Sequence, residues 1–221
     1  MDVKRKIRLL LPIIIYGVFY LAAFRLLEQI EYDHYFTPYV WIDHEIPFIP
    51  WFVFPYLAWF IWVPGVLIYL LFNDEIEFLK SRSMLIIGMT LFLLFSIFFP
   101  TKLFLRPYAD PKEGLPYLLL SMLYSADTAT NVFPSIHVYN TCATLYSIYM
   151  SRATLFMNRY FRIFATILSV LICLSTMFIK QHSIVDVAGA IVMFVIVAAI
   201  VQEYHKRHDL VHETVDDNNT K

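Results

Sequence analysis

Six long apolar stretches constrain the fold of this 221-residue chain more than any other feature of its sequence. They cover residues 8–27, 51–72, 84–100, 137–150, 163–179 and 184–204. About 20 apolar residues in a helix cross the hydrocarbon core of a bilayer, and lipid offers no partner for the open backbone groups of an irregular segment. The sequence therefore predicts an all-α, polytopic membrane protein with six transmembrane helices, of which the short fourth borrows flanking residues.

The composition excludes most classes of soluble protein. Hydrophobic residues make up 59% of the chain and charged residues 16%, whereas a soluble domain carries about 25% charged residues. A net charge of −1 does not attract a polyanion, so no nucleic-acid partner is expected. Both cysteines, Cys142 and Cys173, lie in apolar stretches, which predicts neither a disulfide framework nor a cysteine-ligated metal site.

The basic residues are divided unequally between the two sides of the predicted bundle. One side holds 12 of the 17, namely Lys4, Arg5, Lys6, Arg8, Lys80, Arg82, Arg152, Arg159, Arg162, Lys206, Arg207 and Lys221. The positive-inside rule makes that side cytoplasmic, so that both termini lie inside and segments 28–50, 101–136 and 180–183 lie outside. We expect one six-span domain over residues 1–207 in the cell membrane, followed by a polar cytoplasmic tail over residues 208–221.

The first apolar stretch follows a basic segment, as the apolar core of a secretory signal does. It is longer than such a core, and no clear cleavage site follows it, so we expect a retained anchor.

Three clusters of polar residues fall on the predicted outer side of the membrane. They are Lys102 with Arg106-Pro107, then Pro134-Ser135-Ile136-His137, and then Lys180-Gln181-His182 with Asp186. Ionisable residues at membrane depth are costly, so each of these clusters is a candidate for function.

His182 and Asp186 lie four residues apart at the predicted start of the last helix, where both face one side of it. A carboxylate in that position accepts the Nδ1–H of the imidazole and leaves Nε2 free as a nucleophile. The alternative explanation of this pair alone is an interfacial histidine beside an acid of the first helical turn.

The other two clusters suit the binding of a phosphoryl group. Ser135 is expected to cap the fourth helix and to donate to an anion at its N-terminus, and Arg106 carries a guanidinium suited to bidentate phosphate recognition. Taken separately, His137 and Arg106 are also explained as interfacial anchors. Taken together, two histidines, a carboxylate and fixed cations predict phosphoryl transfer through a phosphohistidine.

These clusters resemble the three signature motifs of the type 2 phosphatidic acid phosphatase superfamily, which read K-x6-R-P, P-S-x-H and S-R-x5-H-x3-D. In the same order, the chain has Arg106-Pro107, Pro134-Ser135-Ile136-His137 and Ser175-Thr176-x5-His182-x3-Asp186. The resemblance covers about residues 95–200 and implies a six-helix bundle with its active site facing outside.

The resemblance also implies roles for individual residues. His182 would attack phosphorus, Asp186 would orient it, and His137 would protonate the leaving alkoxide. The phosphoryl oxygens would be held by Arg106, Ser135, Lys102 and Lys180, with neither a metal nor a cofactor.

Two positions depart from the family's motifs, because Phe99 stands in place of a lysine and Thr176 in place of an arginine. Lys102 or Lys180 is expected to supply the missing charge. The leading prediction is hydrolysis of a lipid phosphate ester, similar to phosphatidate or a polyprenyl diphosphate, at the outer leaflet.

Two alternatives stay open. The same arginine is absent from related lipid phosphotransferases such as sphingomyelin and inositol phosphorylceramide synthases, so one alternative is transfer of a phosphorylated headgroup. The other is a non-catalytic lipid-binding relative. A transporter is disfavoured, because the polar residues cluster at one membrane surface rather than along the spans.

Two further segments carry expectations of their own. The acidic segment 28–50 has no recognised metal-ligand spacing and is expected to form a solvated loop anchored near the headgroups. Segment 115–125 is expected to form an interfacial helix that flanks substrate entry.

Overall fold

A computed structural model describes the backbone of residues 3–219 and the side chains of residues 3–207. Within this part of the chain there are nine α-helices, two short 3₁₀-helices and no β-strand. The α-helices are α1 (Val3–Leu27), α2 (Ile42–Glu45), α3 (Val53–Asn73), α4 (Glu75–Phe98), α5 (Leu115–Ala126), α6 (Ile136–Met150), α7 (Thr154–Met157), α8 (Arg159–Phe178) and α9 (Ile184–Asn219). The predicted all-α membrane fold is confirmed, while the side chains of the predicted tail, residues 208–221, lie outside the described residues.

Each predicted apolar stretch coincides, to within two residues at its ends, with part of one of the six long helices α1, α3, α4, α6, α8 and α9. Five of these are long and apolar enough to cross a membrane. The sixth, α6, has only 15 residues and extends the predicted stretch by a single residue at its start. The count of six spans therefore stays a prediction.

Helix α6 lies at the centre of the bundle, where it packs against α4, α8 and α9. Its polar side chains Asn140, Thr141, Thr144 and Ser147 are all buried against protein. Such side chains would be costly against lipid, so the central position of α6 explains why a long helix with these polar residues is tolerated here.

The crossing of α4 and α6 is close. The hydroxyl of Tyr139 donates to the carbonyl oxygen of Met84 at 2.8 Å, and a Cβ atom added at Gly88 would overlap the ring of Tyr139. Small residues allow membrane helices to approach each other, and glycine has this role at position 88.

The segments that connect the helices gather at two opposite ends of the bundle. At one end, Phe36 forms a backbone bridge with Thr101, and α5 contacts the α8–α9 turn through a hydrogen bond from the Tyr124 hydroxyl to the Ile179 carbonyl oxygen at 2.6 Å. The three segments predicted to lie outside therefore share one end. Which side of the membrane this end faces stays a prediction.

The prediction that segment 28–50 is a solvated loop is wrong for Asp43, which is only 1% exposed. Its Oδ1 accepts the N–H of Ile184 at 2.8 Å, and its Oδ2 accepts the hydroxyl of Ser183 and the N–H of Val40, both at 2.9 Å. The first N–H groups of a helix have no partner within the helix, so a carboxylate is stabilised at the N-terminus of α9. Asp43 thereby ties the loop to the start of that helix.

Candidate active site

The starts of α6 and α9 are joined directly at the end of the bundle where the loops gather. The N–H of Ser135 donates to the carbonyl oxygen of Asp186 at 3.1 Å. Ser135 is the N-cap of α6, its hydroxyl oxygen accepting the N–H of Val138 at 3.4 Å, so the predicted capping role is confirmed. These contacts bring His137 on α6 near His182, which precedes α9.

His182 and Asp186 form the expected pair. Nδ1 of His182 lies 3.4 Å from Oδ2 of Asp186, a close contact without the alignment of a full hydrogen bond. The same Oδ2 accepts the N–H of Ser183 at 2.8 Å, and the Asp186 side chain is fully buried. Because Nδ1 faces the carboxylate, Nε2 is the nitrogen available for another contact.

His137 lies beside this pair, with its ring centroid 5.8 Å from that of His182. Its other neighbours are aromatic, since the rings of Tyr56 and Trp59 each lie 4.6 Å away. Both histidines are largely buried, at 9% exposure for His137 and 7% for His182. The geometry therefore allows both imidazoles to contact one small group between them.

Arg106 reaches the same place from the loop that follows α4. Its guanidinium donates to the carbonyl oxygens of Asp127 at 2.6 Å and Thr128 at 2.8 Å, and also to the Gln181 side-chain oxygen. It lies 5.0 Å from the ring of Tyr124. Burial lowers the pKa of Arg106, and the nearby Asp127 carboxylate opposes that shift.

Asp127 adds an acid to this arrangement. Burial raises the pKa of Asp127, and Arg106 acts in the opposite direction. The hydroxyl of Tyr56 donates to its Oδ2 at 3.5 Å. A raised pKa makes the neutral form of this carboxyl more accessible, which reduces its repulsion of an anion nearby.

These side chains surround a cavity of about 30 Å³, which has room for roughly one water molecule. Five atoms of the residues that line it are buried without a hydrogen-bond partner among residues 3–207. They are Nε of Arg106, Oδ1 of Asn131, Nδ1 of His137, Nε2 of Gln181 and Nδ1 of His182. Nδ1 of His182 lies against Oδ2 of Asp186. Buried polar atoms without partners are rare, and the concentration of the other four around one cavity indicates a site for a polar ligand.

The structure does not bring the two predicted lysines to this cavity. The ammonium of Lys102 lies over the rings of Tyr35 at 5.4 Å and Phe104 at 5.6 Å. The ammonium of Lys180 donates to the carbonyl oxygens of Asp43 at 2.7 Å and Ile46 at 2.5 Å. Burial lowers the pKa of Lys180, and Asp43 opposes that shift.

Phe99 and Thr176, which stand where the family motifs have a lysine and an arginine, do not bring a positive charge to the cavity. Thr176 is fully buried, and its hydroxyl donates to the carbonyl oxygen of Cys173 at 2.8 Å. Phe99 is half exposed. Among the side chains that the structure describes, Arg106 is thus the only lysine or arginine that lines the cavity. No group of three or more metal-ligating side chains occurs within the same part of the chain.

Sequence reasoning missed four polar residues that line the cavity: Asp127, Thr128, Asn131 and Gln181. Gln181 belongs to the polar cluster Lys180-Gln181-His182, but a neutral amide by itself does not indicate a catalytic role. Asp127 and Asn131 lie in the loop before α6, and only the folding of that loop against α9 brings them to the histidines.

Comparison with known proteins agrees with this geometry. The profile of the PAP2 superfamily matches residues 81–209, which include Arg106, Ser135, both histidines of the cavity and Asp186. No curated protein and no solved structure matches the chain significantly. The match covers more than half of the chain, and the chain therefore belongs to the PAP2 superfamily, membrane proteins of the phosphatase and phosphotransferase type that act on phosphate esters.

Proposed function

We propose that this protein hydrolyses a lipid phosphate ester at the outer leaflet through a phosphohistidine intermediate. The observation that carries the proposal is one cavity lined by His182, His137 and Arg106, with Asp186 against Nδ1 of His182. The family match supports a reaction on phosphate esters, and the charge distribution of the sequence supports the outer side.

In the first step, Nε2 of His182 attacks phosphorus, and the bond from phosphorus to the leaving oxygen breaks as the nitrogen–phosphorus bond forms. His137 donates a proton to the leaving alkoxide. Asp186 stabilises the positive charge on the phosphorylated imidazole through Nδ1. Arg106 neutralises charge on the oxygens of the group in transfer.

In the second step, a water molecule gives a proton to His137 and attacks phosphorus from the side opposite His182. The nitrogen–phosphorus bond breaks, its electron pair returns to Nε2, and inorganic phosphate leaves. Both histidines then have the protonation states with which they began, so the cycle closes without a cofactor.

A groove between α4 and α9 supports a substrate with a hydrocarbon chain. It has a volume of about 350 Å³ and an almost entirely apolar lining. Its walls include Pro134, which precedes Ser135, and Gly189, which lies one turn after Asp186. A Cβ atom at Gly189 would overlap the ring of Phe133, another wall residue. A lipid whose phosphate enters the cavity is expected to place one hydrocarbon chain in this groove, whose wall residues Pro134 and Gly189 are close in sequence to Ser135 and Asp186.

One observation favours headgroup transfer as a second candidate function. Among the described side chains, Arg106 is the only lysine or arginine in the cavity lining. A phosphodiester carries one negative charge, whereas a phosphate monoester carries nearly two at neutral pH. A site with one cation suits the diester, which is the donor in transfer of a phosphorylated headgroup to a lipid alcohol.

The two functions are separated by the products of the purified protein in detergent. The substrates are phosphatidate, a polyprenyl diphosphate and a phosphodiester lipid, each with and without diacylglycerol or ceramide as acceptor. Release of inorganic phosphate without an acceptor supports hydrolysis. Formation of a new phospholipid only with an acceptor supports transfer.

Two variants link the products to the proposed site. His182→Ala is expected to abolish all product, because the nucleophile is lost. His34→Ala is the matched control, since His34 is exposed and does not line the cavity. Equal activity in the wild-type protein and His182→Ala would overturn the assignment.

A further inference from the structure

The side-chain amide of Gln181 has a fixed orientation. Its oxygen accepts a hydrogen bond from the Arg106 guanidinium. A guanidinium has only donors, so the amide oxygen and not the amide nitrogen must face it. Gln181 is 2% exposed, which leaves the side chain little freedom to turn. Nε2 therefore points away from Arg106.

The same Nε2 is a hydrogen-bond donor without an acceptor in the part of the chain that the structure describes. It is buried without a hydrogen-bond partner among the described residues, and Gln181 lines the cavity beside His182. A buried donor without a partner destabilises the protein. A ligand oxygen in the cavity would remove this destabilisation.

Among the described side chains, the cavity lining has the positive charge of Arg106 but no second lysine or arginine. Thr176 is engaged with a backbone carbonyl of α8, and the ammonium groups of Lys102 and Lys180 contact other parts of the protein. Hydrogen-bond donors held in place before the reaction can stabilise developing charge without a formal charge of their own. The Gln181 amide is such a donor.

We propose that Gln181 binds a non-bridging oxygen of the phosphoryl group through Nε2, while Arg106 holds the amide in the donating orientation. This inference rests on the proposed function, because it assumes a phosphate ester in the cavity. Gln181 is then a phosphate-binding residue of this chain. It stabilises part of the negative charge on the phosphoryl oxygens that the family's arginine, replaced here by Thr176, would otherwise stabilise.

Two variants of Gln181 separate this role from a merely structural one. Gln181→Glu keeps an oxygen for Arg106 and strengthens that contact, but it replaces the Nε2 donor by a second acceptor. Gln181→Met keeps a similar length and removes both polar atoms. If Gln181 served only to hold Arg106, the Glu variant would retain activity and the Met variant would lose it.

The proposal predicts the opposite order. Removing one preorganised donor costs about 100-fold in turnover or more, so we expect Gln181→Met to lose about 100-fold. We expect Gln181→Glu to lose more, because a carboxylate oxygen then faces the phosphoryl oxygens. Gln202→Met is the matched control, since Gln202 also has a buried Nε2 without a partner but lies well along α9, away from the cavity.

Binding of orthovanadate, an inorganic phosphate analogue, provides a readout that does not depend on turnover. It is measured as thermal stabilisation of the detergent-solubilised protein. We expect wild type and Gln202→Met to bind it alike, and both Gln181 variants to bind at least tenfold more weakly while remaining folded in size-exclusion chromatography. Wild-type affinity and turnover in Gln181→Glu would overturn the inference and leave the proposed function intact.

Vanadate binding also distinguishes failure of the two proposals. A wild-type protein that binds vanadate through Gln181 but turns over no phosphate ester would overturn the proposed function alone. A wild-type protein that neither binds vanadate nor turns over any substrate would overturn both.

Discussion

Replacement of Asp43 by alanine is expected to destabilise the protein, because this buried carboxylate accepts three hydrogen bonds. They come from the N–H of Ile184 at 2.8 Å, the hydroxyl of Ser183 at 2.9 Å and the N–H of Val40 at 2.9 Å. A hydrogen bond to a charged group contributes about 1.5 kcal/mol at the lower end of its range, so the three together contribute about 4.5 kcal/mol. Water that enters the vacated space would recover part of this, which leaves a loss of about 3 kcal/mol.

For a chain of this size, each 1 kcal/mol lowers the midpoint of thermal unfolding by about 2–4 °C. The expected decrease for Asp43→Ala is therefore about 6–12 °C, measured by size-exclusion chromatography after heating in detergent. Turnover should fall as well, because Ser183 follows His182 directly. Asp43→Asn should be milder, since its amide oxygen can still accept one bond.

Asp33→Ala is the control for this prediction, because Asp33 lies in the same acidic loop but is exposed. A decrease below about 2 °C for Asp43→Ala, equal to that of the control, would refute the reasoning. It would mean that the start of α9 is held by other contacts.

Four further predictions concern the site and its surroundings. His182→Ala should abolish covalent labelling by a phosphate ester, whereas His137→Ala should still form some phosphoryl-enzyme with a good leaving group; equal and complete loss in both would contradict the assigned roles. Val192→Trp, which fills the groove between α4 and α9, should raise KM for long-chain substrates and leave a short-chain phosphate unaffected. Ile61→Trp, in a separate groove, should affect neither. Lys102→Ala should change turnover by less than about threefold, because its ammonium lies over aromatic rings outside the cavity lining; a loss of 30-fold would show that it reaches the substrate. Turnover should survive EDTA, because fixed donors such as the Arg106 guanidinium neutralise the phosphoryl charge; loss of activity that added zinc or magnesium restores would contradict this.

The helices were predictable because hydropathy is a local property of the sequence. Each apolar stretch corresponds to a long helix. The central position of α6 in the bundle could be seen only in the structure. The convergence of His137, His182 and Arg106 was predictable from the sequence, since all three flank apolar stretches that end at the same predicted side. Asp127, Asn131 and Gln181 were identified as neighbours of these residues only from the structure.

The contacts that Lys102, Lys180 and Asp43 make could not be predicted from the sequence. A lysine in a loop reaches several angstroms in any direction, and the surrounding fold decides which acceptor it meets. Lys180 meets the carbonyl oxygens of the loop that Asp43 anchors. Sequence spacing could relate Lys180 to His182, two residues later, but not to a turn more than 130 residues earlier in the chain.

The close crossing at Gly88 and Tyr139 also makes these two positions interdependent over evolutionary time. Any side chain at position 88 needs space that the tyrosine ring now fills. A related chain with alanine or serine there would have to carry a smaller residue at position 139 or a wider crossing of α4 and α6. An alignment of relatives should therefore show covariation of the two positions, and a chain with both residues enlarged would not have this bundle.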